Sequence, residues 1–124
     1  MPPSASLLGW TLEEADPDRG TVVVRFEARP DFTNMLGHVQ GGFLTAMLDD
    51  TMGPAVLITL TGSLAPTLGM NVSFFEPARV GPLWGHGRAL KVGKANAFAE
   101  ADLVDGDGSL VARGSSTMYI MSAP

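Results

Sequence analysis

The sequence predicts an α+β fold in which an antiparallel sheet of five or six strands wraps around one long central helix. Three observations favour this fold. The apolar segment from residue 41 to about residue 60 lacks the alternation of a strand and is long enough for a helix. Segments of strand character lie on both sides of it. Short turns rich in Asp, Pro and Gly connect the later segments, as in antiparallel hairpins.

Two strands are expected before the helix. They are residues 5–14 and residues 21–28, joined by a turn at residues 16–20. In the second strand, Val22 and Val24 alternate with Arg25, so one face is apolar and the other is polar. The sheet therefore has a face that can cover the helix.

The helix is apolar on nearly all sides, so it is predicted to be buried rather than half-exposed. Pro54 lacks a backbone N–H and is expected to kink the helix or to end its regular part. Four strands are predicted after it, at residues 65–76, 83–93, 96–105 and 109–120, with an Asp-Gly hairpin turn at residues 105–108.

Length and composition limit the class of protein. The chain has 124 residues, which fits one domain spanning residues 1–124. Hydrophobic residues make up 45% of it and charged residues 17%, which excludes a disordered chain. Without cysteine it can form neither disulfides nor a cysteine zinc site.

Charge and hydropathy disfavour several partners and locations. The net charge of −5 gives no support for a nucleic-acid partner. Asp49 and Asp50 lie inside the most apolar stretch, which argues against a membrane span. The first ten residues lack the basic and apolar regions of a signal peptide, so a cytoplasmic location is expected.

Gly41 and Gly42 are expected at the start of the helix. Backbone N–H groups there are free, and the helix dipole is positive at that end. Such a site suits a carbonyl oxygen that becomes negative during acyl transfer. The alternative is an ordinary glycine turn with a packing role.

Asp49 follows Gly42 by seven residues, which places it on nearly the same helix face but about 10 Å further along. It cannot reach a carbonyl at the start of its own helix, whereas a second, antiparallel helix in a two-fold dimer could present its Asp49 there. Asp50 points about 100° away and cannot share the task. Either both are polar residues at an interface, or one is a base or nucleophile in an apolar cleft.

Other catalytic or metal-binding patterns are absent. His38 and His86 are the only histidines and lack ligand spacing, so no metal site is predicted. There is no G-x-S-x-G motif, and no Ser-His-Asp arrangement can be argued.

Two motifs resemble the hotdog-fold acyl-CoA thioesterases of the PaaI-like (phenylacetic acid degradation) family. The family pattern N-x-x-G-x-x-H-G-G, followed by an acid and a later glycine, is matched in register by Asn34, Gly37, Gly41, Gly42, Asp49 and Gly53. The stretch "GMNVSFFEPARVG" resembles a second family motif through Asn71, Phe74, Pro77 and Gly81. The resemblance covers about residues 20–121.

The resemblance implies hydrolysis of an acyl-CoA thioester by a homodimer, usually paired into a homotetramer, with no metal and no other cofactor. Asp49 takes the catalytic acidic position, as general base or nucleophile across the subunit interface. The N–H of Gly42, with that of Gly41, would polarise the carbonyl. Asn34 would place water or the carboxylate, and Thr67 would orient the attacking water.

Gln40 departs from the pattern, because the family usually has His before Gly-Gly. Its amide can donate a hydrogen bond to a carbonyl but cannot shuttle a proton. Two alternatives are open for His38, which either takes that role or forms the wall of the cleft. Asp50 is interpreted as secondary.

The remaining expectations concern substrate contacts. Lys91, Lys94 and Arg79 are expected near the CoA phosphates, the alternative being ordinary surface charge. An apolar or aromatic acyl group is expected in a pocket that four helix residues line. These residues are Phe43, Met47, Leu48 and Met52.

Two further functions compete with hydrolysis. A non-catalytic acyl-CoA-binding protein of the same fold is favoured by Gln40 and disfavoured by Asp49 with its neighbours. A hydratase would need an Asp-His pair, for which Asp31 and His38 are a poor fit.

Overall fold

The computed structural model describes residues 1–124, with two helices, one turn of 3₁₀ helix and eight strands. The helices are α1 (Pro3–Leu7) and α2 (Gly41–Leu57), and the 3₁₀ turn is Pro30–Phe32. The strands are β1 (Thr11–Asp16), β2 (Thr21–Ala28), β3 (Ser63–Leu64), β4 (Thr67–Phe74), β5 (Gly81–Val92), β6 (Asn96–Val104), β7 (Leu110–Tyr119) and β8 (Met121–Ser122).

Six strands form one antiparallel sheet in the order β1-β2-β5-β6-β7-β4, and β3 pairs with β8 separately. The helix α2 packs against β2, β5, β6, β7 and β4 of this sheet. Alternate side chains of β2 are buried against it, among them Val22, Val24 and Phe26. The predicted architecture of a sheet wrapped around one long helix is therefore confirmed.

The close contact between α2 and β5 depends on two glycines. A Cβ at Gly85 would lie 2.1 Å from Thr51 Oγ1, and a Cβ at Gly87 would lie 2.7 Å from the Thr51 carbonyl oxygen. Thr51 itself is fully buried, and its hydroxyl donates to the Met47 carbonyl oxygen at 2.8 Å. Glycine on β5 thus lets the helix backbone lie directly on the sheet.

Pro54 does not end α2, which continues to Leu57. Because Pro54 has no N–H, the carbonyl of Asp50, four residues earlier, loses its helical partner. The indole Nε1–H of Trp10 donates to that oxygen instead, at 2.9 Å. A side chain from outside the helix therefore replaces the missing bond.

Two predictions about the elements are wrong. Residues 5–14 are not one strand, because residues 3–7 form α1 and the strand begins at Thr11. The helix is not buried on all sides within this chain, since Phe43, Ala46, Asp49 and Asp50 are only partly buried. The sheet covers one face of α2 and leaves the other half-exposed. None of the helices has the length and hydropathy needed to cross a membrane.

Candidate functional site

Asp49 lies beside Thr67 in the folded chain. The Thr67 hydroxyl at the start of β4 donates to Asp49 Oδ1 at 2.7 Å. Both residues are partly buried and line one cleft of about 510 Å³. Since a hydroxyl can accept as well as donate, Thr67 can also hold a water molecule next to the carboxylate.

The other walls of this cleft come from the beginning of the chain and from the end of α2. Its apolar lining residues are Met1, Pro2, Ala5, Trp10, Pro54, Leu57, Ala65 and Pro66. The sequence did not identify Trp10 as a site residue. The sequence held one signal for such a contact: Pro54 predicts that the Asp50 carbonyl lacks its helical donor, but the sequence does not show which side chain donates instead.

Three of the four residues predicted to line an acyl pocket on α2 lie in the core instead. Met47, Leu48 and Met52 are fully buried in the core between the helix and the sheet. Phe43 stacks on Phe32 with ring centroids 4.3 Å apart. Met47, Leu48 and Met52 are occupied by packing because they lie on the face of α2 that the sheet covers, whereas Phe43 lies on the half-exposed face.

Asp50 lies in the same cleft as Asp49 but makes no side-chain hydrogen bond. Burial raises the pKa of the Asp50 carboxyl, and the neighbouring Asp49 carboxylate raises this pKa further. The two adjacent acids therefore differ in environment, as their divergence on the helix led us to expect.

Gly41 and Gly42 begin α2, as predicted, and their N–H groups make no hydrogen bond within the chain. Gln40 is the N-cap residue, and its Oε1 accepts from the Phe43 N–H at 3.3 Å. A Cβ at Gly42 would lie 2.7 Å from that oxygen. The Gln40 amide thus folds over Gly42, so its NH₂ group is held near the two free N–H groups.

Asn34 shapes the loop that precedes the helix. Its Oδ1 accepts from the N–H groups of Leu36 at 2.9 Å and His38 at 3.2 Å. Asn34, His38 and Gly41 share a second cleft of about 360 Å³. The side-chain oxygen of Asn34 is therefore engaged by the loop, while the side-chain NH₂ group remains available to a ligand.

The site residues form two separate groups within one chain. Asn34, His38 and Gly41 lie at the start of α2, whereas Asp49 and Thr67 lie in the other cleft. Eight residues of helix from Gly41 to Asp49 rise about 12 Å. One chain therefore does not bring its own carboxylate to its own helix start.

The basic residues fall into two groups, those paired with a carboxylate and those without such a partner. Five of the eight lie within 4.0 Å of a carboxylate, and the three that do not are Arg79, Lys91 and Lys94. Arg79 precedes β5 and Lys94 follows it, so about 40 Å of strand separates them. These three cations do not form one rim in a single chain. No group of three or more His, Asp or Glu side chains is placed to hold a metal ion.

Comparisons with known proteins identify the family of this chain. The model of the thioesterase superfamily matches residues 36–112. Human acyl-coenzyme A thioesterase 13 is 31% identical over 114 residues, covering 89% of this chain and 79% of the relative.

Solved structures show the same fold. A phenylacetic acid degradation-related protein from Ralstonia eutropha JMP134 has a TM-score of 0.92 at 36% identity, over 96% of this chain and 90% of that one. A protein of Streptococcus mutans UA159 bound to acetyl-CoA has a TM-score of 0.82 at 21% identity, over 91% and 89% of the two chains. The chain therefore belongs to the thioesterase superfamily, as a thioester hydrolase of the hotdog fold in the PaaI-like acyl-CoA thioesterase group.

Proposed function

We propose that the protein hydrolyses the CoA thioester of an apolar or aromatic acid, with Asp49 as the catalytic carboxylate. The observation that carries this assignment is the 2.7 Å hydrogen bond from Thr67 to Asp49 Oδ1 in an apolar-walled cleft. One carboxylate oxygen is held in place, which leaves Oδ2 free to act on water or on the thioester.

The reaction has two forms. As general base, Asp49 takes a proton from water, the water oxygen attacks the carbonyl carbon, and the C–S bond breaks to release the CoA thiol. As nucleophile, Asp49 attacks the carbonyl itself, the thiolate leaves, and water then hydrolyses the resulting anhydride. Thr67 favours the first form, because a hydroxyl that donates to the carboxylate can accept a hydrogen bond from the attacking water.

The start of α2 supplies the donors for the carbonyl oxygen. The N–H groups of Gly42 and Gly41 have no partner in the chain, and the helix dipole adds positive potential. Gln40 contributes its NH₂ group as a third donor, since its oxygen is already engaged by Phe43. Asn34 and His38 form the wall of the same cleft.

Two chains are needed to complete this site. A two-fold homodimer with antiparallel α2 helices would place Asp49 of one subunit opposite Gly42 of the other. The half-exposed face of α2, which carries Phe43, Ala46 and Asp49, is available for that contact. Pairing of such dimers into a homotetramer remains a prediction.

The CoA phosphates would meet cations that have no internal partner. Lys91 and Lys94 are exposed and unpaired, and so is Arg79. Charge-assisted hydrogen bonds from such groups are the usual way to hold phosphate. In an antiparallel dimer, cations from both chains can flank one site although they are far apart within each chain.

Thiol release from acyl-CoA substrates tests the catalytic assignment. We expect Asp49→Asn to lower kcat by about 10²- to 10⁴-fold, as for loss of a general base, with acyl-CoA binding retained. Exposed Asp107, changed to Asn, is the matched control and should keep wild-type turnover. Wild-type kcat in the Asp49→Asn variant would exclude this residue.

A single turnover in H₂¹⁸O separates the two forms of the reaction. General base catalysis puts the heavy oxygen into the released acid. Label in Asp49, which peptide mass spectrometry detects, establishes nucleophilic catalysis, because water that attacks the Asp49 carboxyl carbon of the anhydride leaves ¹⁸O in the enzyme and none in the first product acid.

A non-catalytic acyl-CoA-binding protein is the second candidate. The observation that favours it is Gln40, whose amide serves as a helix cap and cannot supply a proton to the leaving thiolate. Saturable acyl-CoA binding without thiol release, in wild type and Asp49→Asn alike, would establish this function instead.

A further inference from the structure

Trp10 lines the cleft at Asp49 and lies outside both sequence motifs. We propose that Trp10 is the specificity-determining wall of the acyl subsite and limits the length of acyl group that the enzyme accepts. This inference rests on the proposed function, because it names the part of the substrate that occupies the cleft beside the catalytic carboxylate.

Trp10 is held by a hydrogen bond to a helix carbonyl that is free because Pro54 lies inside α2. Its Nε1–H donates at 2.9 Å to the Asp50 carbonyl oxygen, which Pro54 leaves without a helical donor. Its own N–H donates to the Ala5 carbonyl oxygen at 3.0 Å. Because both its indole N–H and its backbone N–H are hydrogen-bonded, Trp10 forms a rigid wall beside Asp50, the residue that follows Asp49.

The segment that carries Trp10 is packed on the core rather than loosely attached. Ala5 and Leu8 are only 7% and 3% exposed. The Leu8 carbonyl oxygen accepts from the Glu27 N–H at 3.0 Å, which joins this segment to β2. The position of Trp10 in the cleft is therefore fixed, as a subsite that selects acyl groups by length requires.

The lining of the cleft defines the class of acyl group. The surfaces away from Asp49 and Thr67 are mainly apolar, with contributions from Ala5, Leu57 and Ala65. The only charged side chains in the cleft are Asp49 and Asp50, and no Lys or Arg lines it. A neutral apolar acyl chain fits, whereas an acyl group with a terminal carboxylate would meet two acidic side chains and no basic side chain.

Substitution of Trp10 tests the proposal through the substrate profile. Saturated acyl-CoAs from C4 to C16 would be compared by kcat/KM in wild type, Trp10→Phe and Trp10→Ala. We expect Trp10→Ala to favour long over short chains by at least ~10-fold relative to wild type, because one methylene in an apolar pocket is worth about that factor. Trp10→Phe keeps an aromatic wall and should shift the profile less.

Trp84→Phe is the matched control. Trp84 is the only other tryptophan, and it lies on the outer face of the sheet, where its Nε1–H donates to Glu13 Oε1 at 2.9 Å. Its loss should leave the chain-length profile unchanged. An unchanged profile in folded Trp10→Ala, with wild-type turnover intact, would overturn the proposal while leaving the thioesterase function standing.

Fluorescence provides a readout that needs no turnover. In the Trp84→Phe, Asp49→Asn double variant, Trp10 is the single indole and substrate is not consumed. Titration with decanoyl-CoA should change its emission saturably, whereas free CoA should not. A response to CoA alone, or none to decanoyl-CoA that binds by calorimetry, would place the acyl group elsewhere. Absence of thiol release by wild type together with a saturable response would reject hydrolysis but keep the acyl subsite.

Discussion

At the scale of single residues, the roles of Asp49 and Thr67 depend on one hydrogen bond. We expect Thr67→Val to lower kcat by ~10- to 100-fold, since a hydrogen bond to a charged group is worth about 1.5–3 kcal/mol. Thr67→Ser keeps the hydroxyl and should retain most of the activity. Steady-state kinetics on one acyl-CoA would measure both, and a loss in Thr67→Ser with wild-type kcat in Thr67→Val would mean that the methyl group, not the hydroxyl, matters.

The raised pKa of Asp50 predicts how the stability of the fold depends on pH. Burial and Asp49 give its carboxyl a higher pKa in the folded chain than in the unfolded one. The folded state therefore holds this proton more tightly, and stability falls as pH rises from about 3.9, the unfolded pKa, through the raised folded pKa. We expect Asp50→Asn to have a higher Tm than wild type at pH 7.

The same difference in Tm should shrink towards zero as the pH falls to about 3, where wild-type Asp50 is mostly protonated in both states. Thermal melts of the two proteins between pH 3 and pH 8 measure it. Asp107→Asn, with the same change of charge in an exposed turn, is the control. A pH-independent difference in Tm would show that the substitution acts through packing rather than through this ionisation.

At the scale of elements, the contact of α2 with β5 sets how the sheet closes on the helix. Gly85→Ala would place a methyl group 2.1 Å from the buried Thr51 hydroxyl. Overpacking of this kind costs ~1–3 kcal/mol, so we expect a lower midpoint in urea with an unchanged m-value. Gly69→Ala on β4, where a Cβ would have 4 Å of free space, is the control. Equal midpoints for Gly85→Ala and wild type would mean that helix and sheet can move apart freely.

The start of α2 shows how an element limits function. Gln40 is both the residue that replaces the family's usual His and the side chain that caps the helix. Its oxygen is committed to the Phe43 N–H, so its remaining contribution to chemistry is donation from NH₂. Gln40 therefore has a structural role as the helix cap, although its side chain cannot transfer a proton as a His could.

At the scale of the whole molecule, the separation of the two half-sites predicts complementation between subunits. We expect Asp49→Asn and Gly42→Pro to be inactive alone, since the second removes an N–H within the first helical turn, where proline is tolerated. After refolding together, random dimers should recover ~25% of wild-type activity, because half are mixed and each mixed dimer has one intact site. Thiol release from the co-refolded sample, compared with each variant alone, measures this, and no recovery would place both residues in one subunit's site.

The sequence by itself determined the long helix with its start at Gly41, five of the six strands of the main sheet and the separation of Gly42 from Asp49, because these follow from local periodicity and from helix rise. Its two motifs also identified the family and the catalytic candidates, and the distribution of its basic residues singled out the three cations that the fold leaves unpaired.

Only the tertiary structure decided which side of α2 the sheet covers. That choice buries Met47, Leu48 and Met52 in the core and leaves a cleft on the side where Trp10, Leu57 and Asp49 meet. The physical reason is that an almost uniformly apolar helix has no periodicity to indicate its buried face. Long-range contacts, from Thr67 to Asp49 and from Trp10 to the carbonyl that Pro54 leaves unpaired, join residues far apart in sequence, and only the packed chain brings them together.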